Sequence, residues 1–383
     1  MKQIEKQERP QENHLGKRSP KAKLIRLSLL ALLGGSVIFS ACKKDEGEPD
    51  VGISPKGPKP EWGPTIKPQM QRVIEKLEEL SGGVPLQTLT PEQARMAPSA
   101  ADAVKGVMQE YGIGMPPSGV DTSGVTIPVE GGLIHARVYT PKNAIGPLPG
   151  IVYYHGGGWV IATIDTYDAS ARALSEQSGA VLVSVEYRKG PEFKYPTAHN
   201  DSFAAYEWVL ANAASLKINP AKVALAGESA GGNLAAAVSM MARDNGLAIP
   251  VHQLLVYPIA DYNVNSPSYM EYAEAKPLSK PLMEWFFGHY LSTPAEGNSP
   301  LISLVKATNL TGLPPATVIN AQIDPLLSEG QQYAENLEGA GIAVTSKVYE
   351  GVTHEFFGMA SIVPQAKDAQ KLAADELKKA FAR

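Results

Sequence analysis

The chain has 383 residues, of which 44% are hydrophobic and 19% are charged, and its formal net charge is −4. This composition is typical of a globular protein that is long enough for one large α/β domain with appendages. The small negative charge and a pI near 6.0 argue against a nucleic-acid partner. Cys42 is the single cysteine of the sequence, so an intrachain disulfide is excluded.

The first 42 residues have the features of an export signal. Residues 1–26 are polar and basic, residues 27–41 are apolar but short for a membrane span, and small residues precede Cys42. The segment Phe39-Ser40-Ala41-Cys42 resembles a bacterial lipobox, although Phe39 replaces the usual leucine. The resemblance implies a signal peptide over residues 1–41, cleavage before Cys42 and lipidation of that cysteine. A plain signal peptide and an uncleaved anchor are the alternatives.

A lipidated Cys42 predicts an exported lipoprotein of the outer membrane or cell surface, held to the membrane by its lipid anchor only. Residues 43–68 contain six prolines and no apolar periodicity, which predicts a flexible tether over residues 42–67.

Helical periodicity begins at residue 68 and predicts a helical cap over residues 68–120. The first helix of the cap is indicated by apolar side chains at helical spacing, namely Met70, Val73, Ile74, Leu77 and Leu80. The cap is expected to cover the active site as a lid, and the alternative is a brace that packs elsewhere. Residues 265–295 contain a further amphipathic helix that contributes to the cap.

Residues 121–383 alternate between strand and helix patterns. Two strands at residues 125–129 and 133–139 flank a Glu-Gly-Gly turn and predict a hairpin. The alternating segments that follow predict a mostly parallel sheet with helices on both faces, which is an α/β fold.

The segment Gly227-Glu228-Ser229-Ala230-Gly231 lies between an apolar strand and an alanine-rich helix. This is the pattern of a nucleophile elbow, in which a tight turn exposes the serine hydroxyl at the end of the sheet. Ser229 is therefore the candidate nucleophile. The backbone N–H of Ala230, directly after it, is a candidate donor to the oxyanion of a reaction intermediate.

The segment His155-Gly156-Gly157-Gly158 follows an earlier strand. Glycines there let backbone N–H groups point into a site without an intervening Cβ, so this loop is the candidate second half of an oxyanion hole.

A serine nucleophile needs a histidine base and an acid, in the chain order Ser, acid, His. His354 lies in the loop directly after the last predicted strand, Val344–Tyr349, whereas His289 lies within a predicted helix. Asp324 is the favoured acid because it ends a strand. Asp261 and Glu329 are its rivals.

Four motifs in order resemble those of the bacterial hormone-sensitive-lipase-like esterases, a branch of the α/β-hydrolases, over roughly residues 60–383. They are His155-Gly156-Gly157-Gly158-Trp159, Gly227-Glu228-Ser229-Ala230-Gly231-Gly232-Asn233, Asp324-Pro325-Leu326 and Gly351-Val352-Thr353-His354. The resemblance implies an α/β-hydrolase fold, a triad of Ser229, Asp324 and His354, and an oxyanion hole of Gly157, Gly158 and Ala230. Two residues depart from the family pattern, since Ser328 replaces a frequent aspartate and Glu355 replaces the usual glycine.

These features predict a serine carboxylesterase for short acyl esters, with a small acyl ester as its partner. The alternatives are an amide or peptide hydrolase with the same triad and a non-catalytic binding protein on the same scaffold. Trp159, Glu228, Phe356 and Phe357 are expected to line the substrate pocket. The three aromatic rings among them would restrict acyl chains to about two to six carbons. The sequence has no motif for a metal or an organic cofactor, so neither is expected.

Overall fold

An eight-stranded sheet organises the computed structural model, which describes residues 52–383. Its strands are β1 (Val120–Val129), β2 (Gly132–Pro141), β3 (Leu148–Tyr154), β4 (Val181–Glu186), β5 (Ile218–Glu228), β6 (Gln253–Val256), β7 (Ala316–Ile323) and β8 (Val344–Thr353). Their order in the sheet is β1-β2-β4-β3-β5-β6-β7-β8. The pairs β1–β2 and β2–β4 are antiparallel and all other pairs are parallel.

Ten helices surround the sheet in the described part of the chain. They are α1 (Pro68–Ser81), α2 (Pro91–Met96), α3 (Ala100–Glu110), α4 (Asp168–Ser178), α5 (Thr197–Ala211), α6 (Ala230–Asp244), α7 (Pro267–Glu271), α8 (Lys280–Tyr290), α9 (Leu327–Gly339) and α10 (Pro364–Phe381). None of the helices in residues 52–383 has the length and apolar character needed to cross a membrane.

Two hydrophobic cores lie on opposite faces of the sheet. Within β3, Val152 and Tyr154 belong to the core formed with α5, α6, α8 and α9. Ile151 and Tyr153 belong to the core formed with α1, α3, α4 and α10. Successive side chains of a strand point to opposite faces, so a continuously apolar strand supplies both cores. The predicted α/β-hydrolase fold is therefore confirmed.

The predicted hairpin is also confirmed, but its first strand is longer than expected. Val129 pairs with Gly132 across a turn in which Gly131 has φ +73°. β1 begins at Val120, and the residues added to it at Asp121, Thr122, Ser123 and Gly124 are all exposed. An exposed polar edge strand has no apolar alternation, so the sequence pattern did not indicate its start.

The predicted tether differs from the structure over residues 52–67. This segment packs on the catalytic unit, with Ile53 and Ile66 buried. The Glu75 carboxylate accepts hydrogen bonds from the N–H groups of Lys56 and Gly57, and Gln71 Nε2 donates to the Gly57 carbonyl. Prolines gave this segment the composition of a linker, but its two isoleucines and its backbone bonds fix it to α1. Residues 1–41 and Cys42 lie outside the described residues.

The predicted cap is formed by α1, α2 and α3 together with the segment around α7 and α8. α2 and α3 each begin with a capping box, of Thr90 with Gln93 and of Ser99 with Asp102. The buried faces of α1 and α3 join the core that also contains α4 and α10. The loop between α1 and α2 borders the cavity that contains Ser229 and His354. These helices thus form both a brace and a wall of that cavity.

Candidate active site

Ser229 lies in a strained turn between β5 and α6, with φ 57° and ψ −119°. This left-handed backbone conformation is unfavourable for a residue with a side chain. The flanking glycines make the turn possible, because a Cβ at Gly227 would collide with the Gly231 carbonyl and a Cβ at Gly231 with the Tyr154 carbonyl. The Gly-x-Ser-x-Gly spacing therefore has a steric cause in this fold.

The side chains of Ser229, His354 and Asp324 form a hydrogen-bonded chain. The Ser229 hydroxyl donates to His354 Nε2 over 2.9 Å, and His354 Nδ1–H donates to Asp324 Oδ2 over 2.7 Å. Ser229 follows β5, Asp324 follows β7 and His354 follows β8, and these strands are parallel. Parallel strands place their carboxyl ends at one edge of the sheet, so residues distant in sequence meet there.

The environment of His354 favours its protonated form. Burial of the ring opposes a positive charge, but the carboxylates of Asp324, Glu355 and Glu228 together outweigh burial and raise the pKa of His354 above its ordinary value. Asp324 Oδ1 separately accepts from the Leu326 N–H over 2.9 Å, which holds the carboxylate in place. An imidazole arranged in this way can accept a proton from the serine and retain it transiently.

The alternative acids and base have other partners. Asp261 Oδ1 accepts from the Ser303 hydroxyl over 2.9 Å and lies 3.3 Å from Lys306 Nζ. Glu329 is buried and accepts from the backbone N–H groups of Ala260 and Asp261. His289 lies on α8, where its ring meets the edge of Trp285. Among these candidates, the structure brings only Asp324 and His354 into contact with each other and with Ser229.

The glycine loop places two free N–H groups beside the serine. Within residues 52–383, the N–H groups of Gly157 and Gly158 are bonded to no backbone or side-chain acceptor. Gly157 has φ +99° and Gly158 has φ +58°, and a Cβ at Gly158 would overlap the ring of Phe286. Ala230 is the first residue of α6, so its N–H has no partner one turn earlier in the helix. Gly157 and Gly158 border the cavity that contains Ser229, and these three N–H groups remain the candidate donors to an oxyanion.

The cavity that contains Ser229 and His354 has a volume of about 1040 Å³. Its floor includes Gly157, Gly158 and Tyr167, and its walls come from the loop between α1 and α2 and from residues 274–286. The large apolar residues of its walls are Ile74, Leu77, Leu80, Val84, Leu86, Leu89, Met96, Leu278, Leu282 and Phe286. The cavity is therefore largely apolar and is covered by the cap helices.

The four residues expected to line the substrate pocket do not border this cavity, and this prediction needs correction. Trp159 is fully buried and stacks on Tyr290 with ring centroids 4.9 Å apart. Phe356 packs against Tyr257 and Tyr349, and Phe357 also lies in the core. Glu228 is buried beneath the elbow, where the hydroxyl groups of Tyr153 and Tyr257 donate to its carboxylate.

These errors have one cause. Each residue is adjacent in sequence to a site residue, and adjacency does not determine the direction of a side chain. Burial raises the pKa of Glu228 to about 7, because a charged carboxylate is unfavourable away from water. The hydrogen bonds from the two tyrosine hydroxyls oppose this rise, because they stabilise the ionised form.

Sequence analysis missed two aromatic residues of the cavity. Phe286 on α8 lies against Gly158, and Tyr167 lies against the Gly156 backbone and donates to Glu355 Oε1. The amphipathic helix predicted within residues 265–295 contains Phe286, but helical periodicity does not identify Gly158 as the residue that this ring contacts. Tyr167 precedes α4, and no local pattern indicated a role for it. Glu355 itself borders the cavity and has φ +70°.

Metal chemistry has no evident ligand set here, since residues 52–383 contain no group of three or more His, Cys, Asp or Glu side chains placed to hold an ion.

Comparisons with known proteins agree with this architecture. Residues 151–358 match the model of a family described by the alpha/beta hydrolase fold. Carboxylesterase NlhH of Mycobacterium tuberculosis is 39% identical over 251 residues, which cover 65% of this chain and 79% of that protein. Ethyl acetate hydrolase of Pseudomonas putida is 33% identical over the same shares of both chains.

Solved structures give the same result. An alpha/beta hydrolase enzyme from the metagenome of Lake Arreo has a TM-score of 0.76 and 35% identity, and the match covers 83% of this chain and 99% of that one. A hyperthermophilic esterase from Pyrobaculum calidifontis has a TM-score of 0.70 and 38% identity, with 77% and 95% covered. With its sheet, its elbow and more than half of its length matched, the chain belongs to the α/β-hydrolase family.

Proposed function

We propose that this protein is a serine carboxylesterase that cleaves short-chain acyl esters through an acyl-enzyme intermediate. The chain is a carboxylic ester hydrolase, as its relatives named carboxylesterase, ethyl acetate hydrolase and esterase support. The observation that carries the mechanism is the hydrogen-bonded series from the Ser229 hydroxyl through His354 to Asp324.

In the proposed first step, Ser229 Oγ attacks the ester carbonyl carbon while its proton passes to His354 Nε2. Asp324 holds the ring orientation through Nδ1–H and stabilises the imidazolium that forms. The carbonyl oxygen becomes an oxyanion, and the N–H groups of Gly157, Gly158 and Ala230 donate to it. The tetrahedral intermediate then collapses, and the alcohol leaves with the proton from His354.

In the second step, water repeats the sequence on the acyl-enzyme. His354 removes a proton from the water molecule, the hydroxide attacks the acyl carbon, and Ser229 leaves as the alcohol when the proton returns to it. The carboxylic acid is released and the enzyme is restored. No cofactor takes part in any of these steps.

The proposed preference for short acyl chains rests on a residue other than Trp159, Phe356 and Phe357. The three rings expected to limit the pocket lie in the core, but Phe286 packs on Gly158 and borders the same cavity as Ser229, so we infer that this ring limits the acyl side of the site. The ethyl acetate hydrolase relative supports small acyl groups. In this proposal, the cavity of about 1040 Å³ accommodates the alcohol portion of the ester rather than a long acyl chain.

Two other functions share these residues. An amide or peptide hydrolase would use the same three side chains. A non-catalytic binding protein would have no need for the strained backbone at Ser229, which costs free energy and is typical of functional sites. The strain and the ester-hydrolase relatives favour the esterase.

One experiment tests the proposal, namely kcat/KM on chromogenic esters from acetyl to palmitoyl for the wild type and for Ser229→Ala. The wild type should have its optimum at about two to six acyl carbons, because each methylene adds binding only while the pocket has room. Ser229→Ala should lose roughly three or more orders of magnitude on every ester. A variant that keeps a tenth of the activity would remove Ser229 as the nucleophile. An optimum at about twelve carbons would contradict the short acyl pocket.

A further inference from the structure

Glu355 is a carboxylate at the floor of the substrate cavity that the proposed mechanism does not use. It directly follows His354, borders the same cavity as Ser229, and is partly exposed to it. Its φ of +70° is the left-handed conformation that favours glycine, which is the residue usual at this position in the family that the motifs resemble. The chain therefore carries a side chain here against a backbone preference.

The carboxylate of Glu355 has one partner in the described residues. Tyr167 donates its hydroxyl to Oε1, and no cation within residues 52–383 is paired with either oxygen. Burial raises the pKa of Glu355, and the neighbouring His354 opposes that rise. When His354 is neutral, as it must be to accept the serine proton, Glu355 has no counter-ion in the described residues. A carboxylate in that state, in a cleft of reduced dielectric, gains most from a positively charged ligand.

The remaining charges of the cavity do not supply that counter-ion. Five acidic and two basic side chains border it, and the acidic ones are Glu78, Glu92, Asp102, Glu274 and Glu355. Both cations are engaged elsewhere. Arg95 pairs with Glu192, which lies outside the cavity, and Lys276 pairs with Glu78. The cavity consequently has an excess of negative charge.

Two aromatic residues border the same cavity as this carboxylate. The Tyr167 hydroxyl donates a hydrogen bond to Glu355, and the ring of Phe286 packs on Gly158 at the floor of the cavity. Aromatic faces together with a carboxylate are the groups that bind quaternary ammonium ions in proteins. A neutral apolar ligand would use the rings but would leave the carboxylate without a partner.

We propose that Glu355 makes this site selective for esters that carry an ammonium group close to the scissile bond, and that it disfavours anionic esters. This inference rests on the esterase function proposed above. Glu355 would act as a specificity-determining residue, since Ser229, Asp324 and His354 already account for bond cleavage.

Matched pairs of esters test the proposal. Acetylcholine and its uncharged carbon isostere, dimethylbutyl acetate, place the charge on the alcohol side. Methyl trimethylammoniobutanoate and methyl dimethylhexanoate place it on the acyl side. At about pH 8, where a carboxyl group is ionised, the wild type should prefer the cation by about tenfold in kcat/KM for at least one pair. Glu355→Gln and Glu355→Gly should both lower that ratio to about threefold or less.

Two variants are used because glutamine keeps an acceptor for Tyr167 and glycine suits the left-handed backbone. The matched control is Glu271→Gln, which removes the same charge from an exposed residue outside the cavity and should keep the wild-type ratio. Equal turnover of both members of each pair by the wild type would overturn the proposal. An unchanged ratio in both Glu355 variants would also overturn it.

A binding measurement separates this proposal from the proposed function. Calorimetry on Ser229→Ala compares choline with its carbon isostere dimethylbutanol, and it needs no hydrolysis. Tighter binding of choline that depends on Glu355 would support the charge selectivity even if Ser229 proved not to be the nucleophile. Equal binding would reject the selectivity while leaving the esterase function intact.

Discussion

Asp324 and Asp261 are two carboxylates near strand ends, and the geometry distinguishes their roles. Asp324 accepts from His354 Nδ1–H, whereas Asp261 is bound by Ser303 and Lys306. Asp324→Asn should lower kcat/KM by roughly three to four orders of magnitude, because the amide no longer stabilises the imidazolium and its ring tautomer. Asp261→Asn serves as the matched control and should stay within about tenfold of the wild type. A greater loss of kcat/KM in Asp261→Asn than in Asp324→Asn would show that Asp324 is not the acid of the triad.

The raised pKa of His354 sets the pH dependence of the reaction. The base must be neutral to accept the serine proton, so kcat/KM should rise with pH and reach half its plateau above the ordinary histidine value. Glu228, whose pKa is about 7, also titrates in this range behind the serine. A pH profile of Glu228→Gln should keep the midpoint above about 6.5, the ordinary histidine value. A midpoint that falls below this value in the variant would show that the charge of Glu228, rather than that of Asp324, keeps the pKa of His354 high.

At the level of residues, motifs predicted which side chains meet at the end of the sheet better than they predicted which residues line the cavity. Ser229, Asp324 and His354 were identified because backbone geometry demands particular residues at fixed spacing or at strand ends. Trp159 and Phe356 were misplaced because their contacts depend on packing between distant segments. Burial of a side chain is a property of the whole fold, and no local spacing contains it.

Arg95 connects a cap helix to the glycine loop. It forms a bidentate pair with Glu192, and it donates to the carbonyl groups of Val160 and Gly190. Charge-assisted hydrogen bonds of this kind stabilise a fold, although partial exposure weakens the ion pair. Arg95→Met should lower the free energy of unfolding by about 1–2 kcal/mol and raise KM more than it lowers kcat, because α2 borders the cavity.

Urea denaturation and steady-state kinetics measure the two effects of Arg95→Met. Lys371→Met is the control, since Lys371 forms an exposed i,i+4 pair with Asp375 and should change stability by about 0.5 kcal/mol or less. Equal stability losses in the two variants would mean that Arg95 is only a surface residue.

At the level of elements, the alternation of strands and helices was predictable because buried parallel strands and amphipathic helices have distinct periods. Boundaries were less accurate where an element lies at an edge. β1 was expected to begin at residue 125 but begins at Val120, and β8 extends to Thr353 rather than residue 349. The packed segment at residues 52–67 was misread because its composition resembles a linker, while two buried isoleucines decide its position.

The chain as a whole joins a hydrolase to a predicted lipid anchor at Cys42. Among the described residues, Ile53 is the first that is buried, and ten residues separate it from Cys42 in the sequence. Ten residues of polypeptide reach at most about 36 Å when fully extended. A lipidated Cys42 would therefore hold the catalytic unit close to a membrane surface, where esters that partition into or near the headgroup region are available.

The anchor is tested by replacement of its one acceptor residue in a bacterial host. The wild type should sediment with membranes and give a mature N-terminal peptide with acyl chains on Cys42, since such chains confer stable attachment without a spanning helix. Cys42→Ser should be unprocessed or free of lipid. Its kcat/KM on a water-soluble acetate should equal that of the wild type, because Ser229, His354 and Asp324 of the described residues carry out the proposed reaction. Mass spectrometry that finds an unmodified mature chain beginning at another residue would reject the lipoprotein prediction and leave a secreted or cell-retained esterase as the alternative.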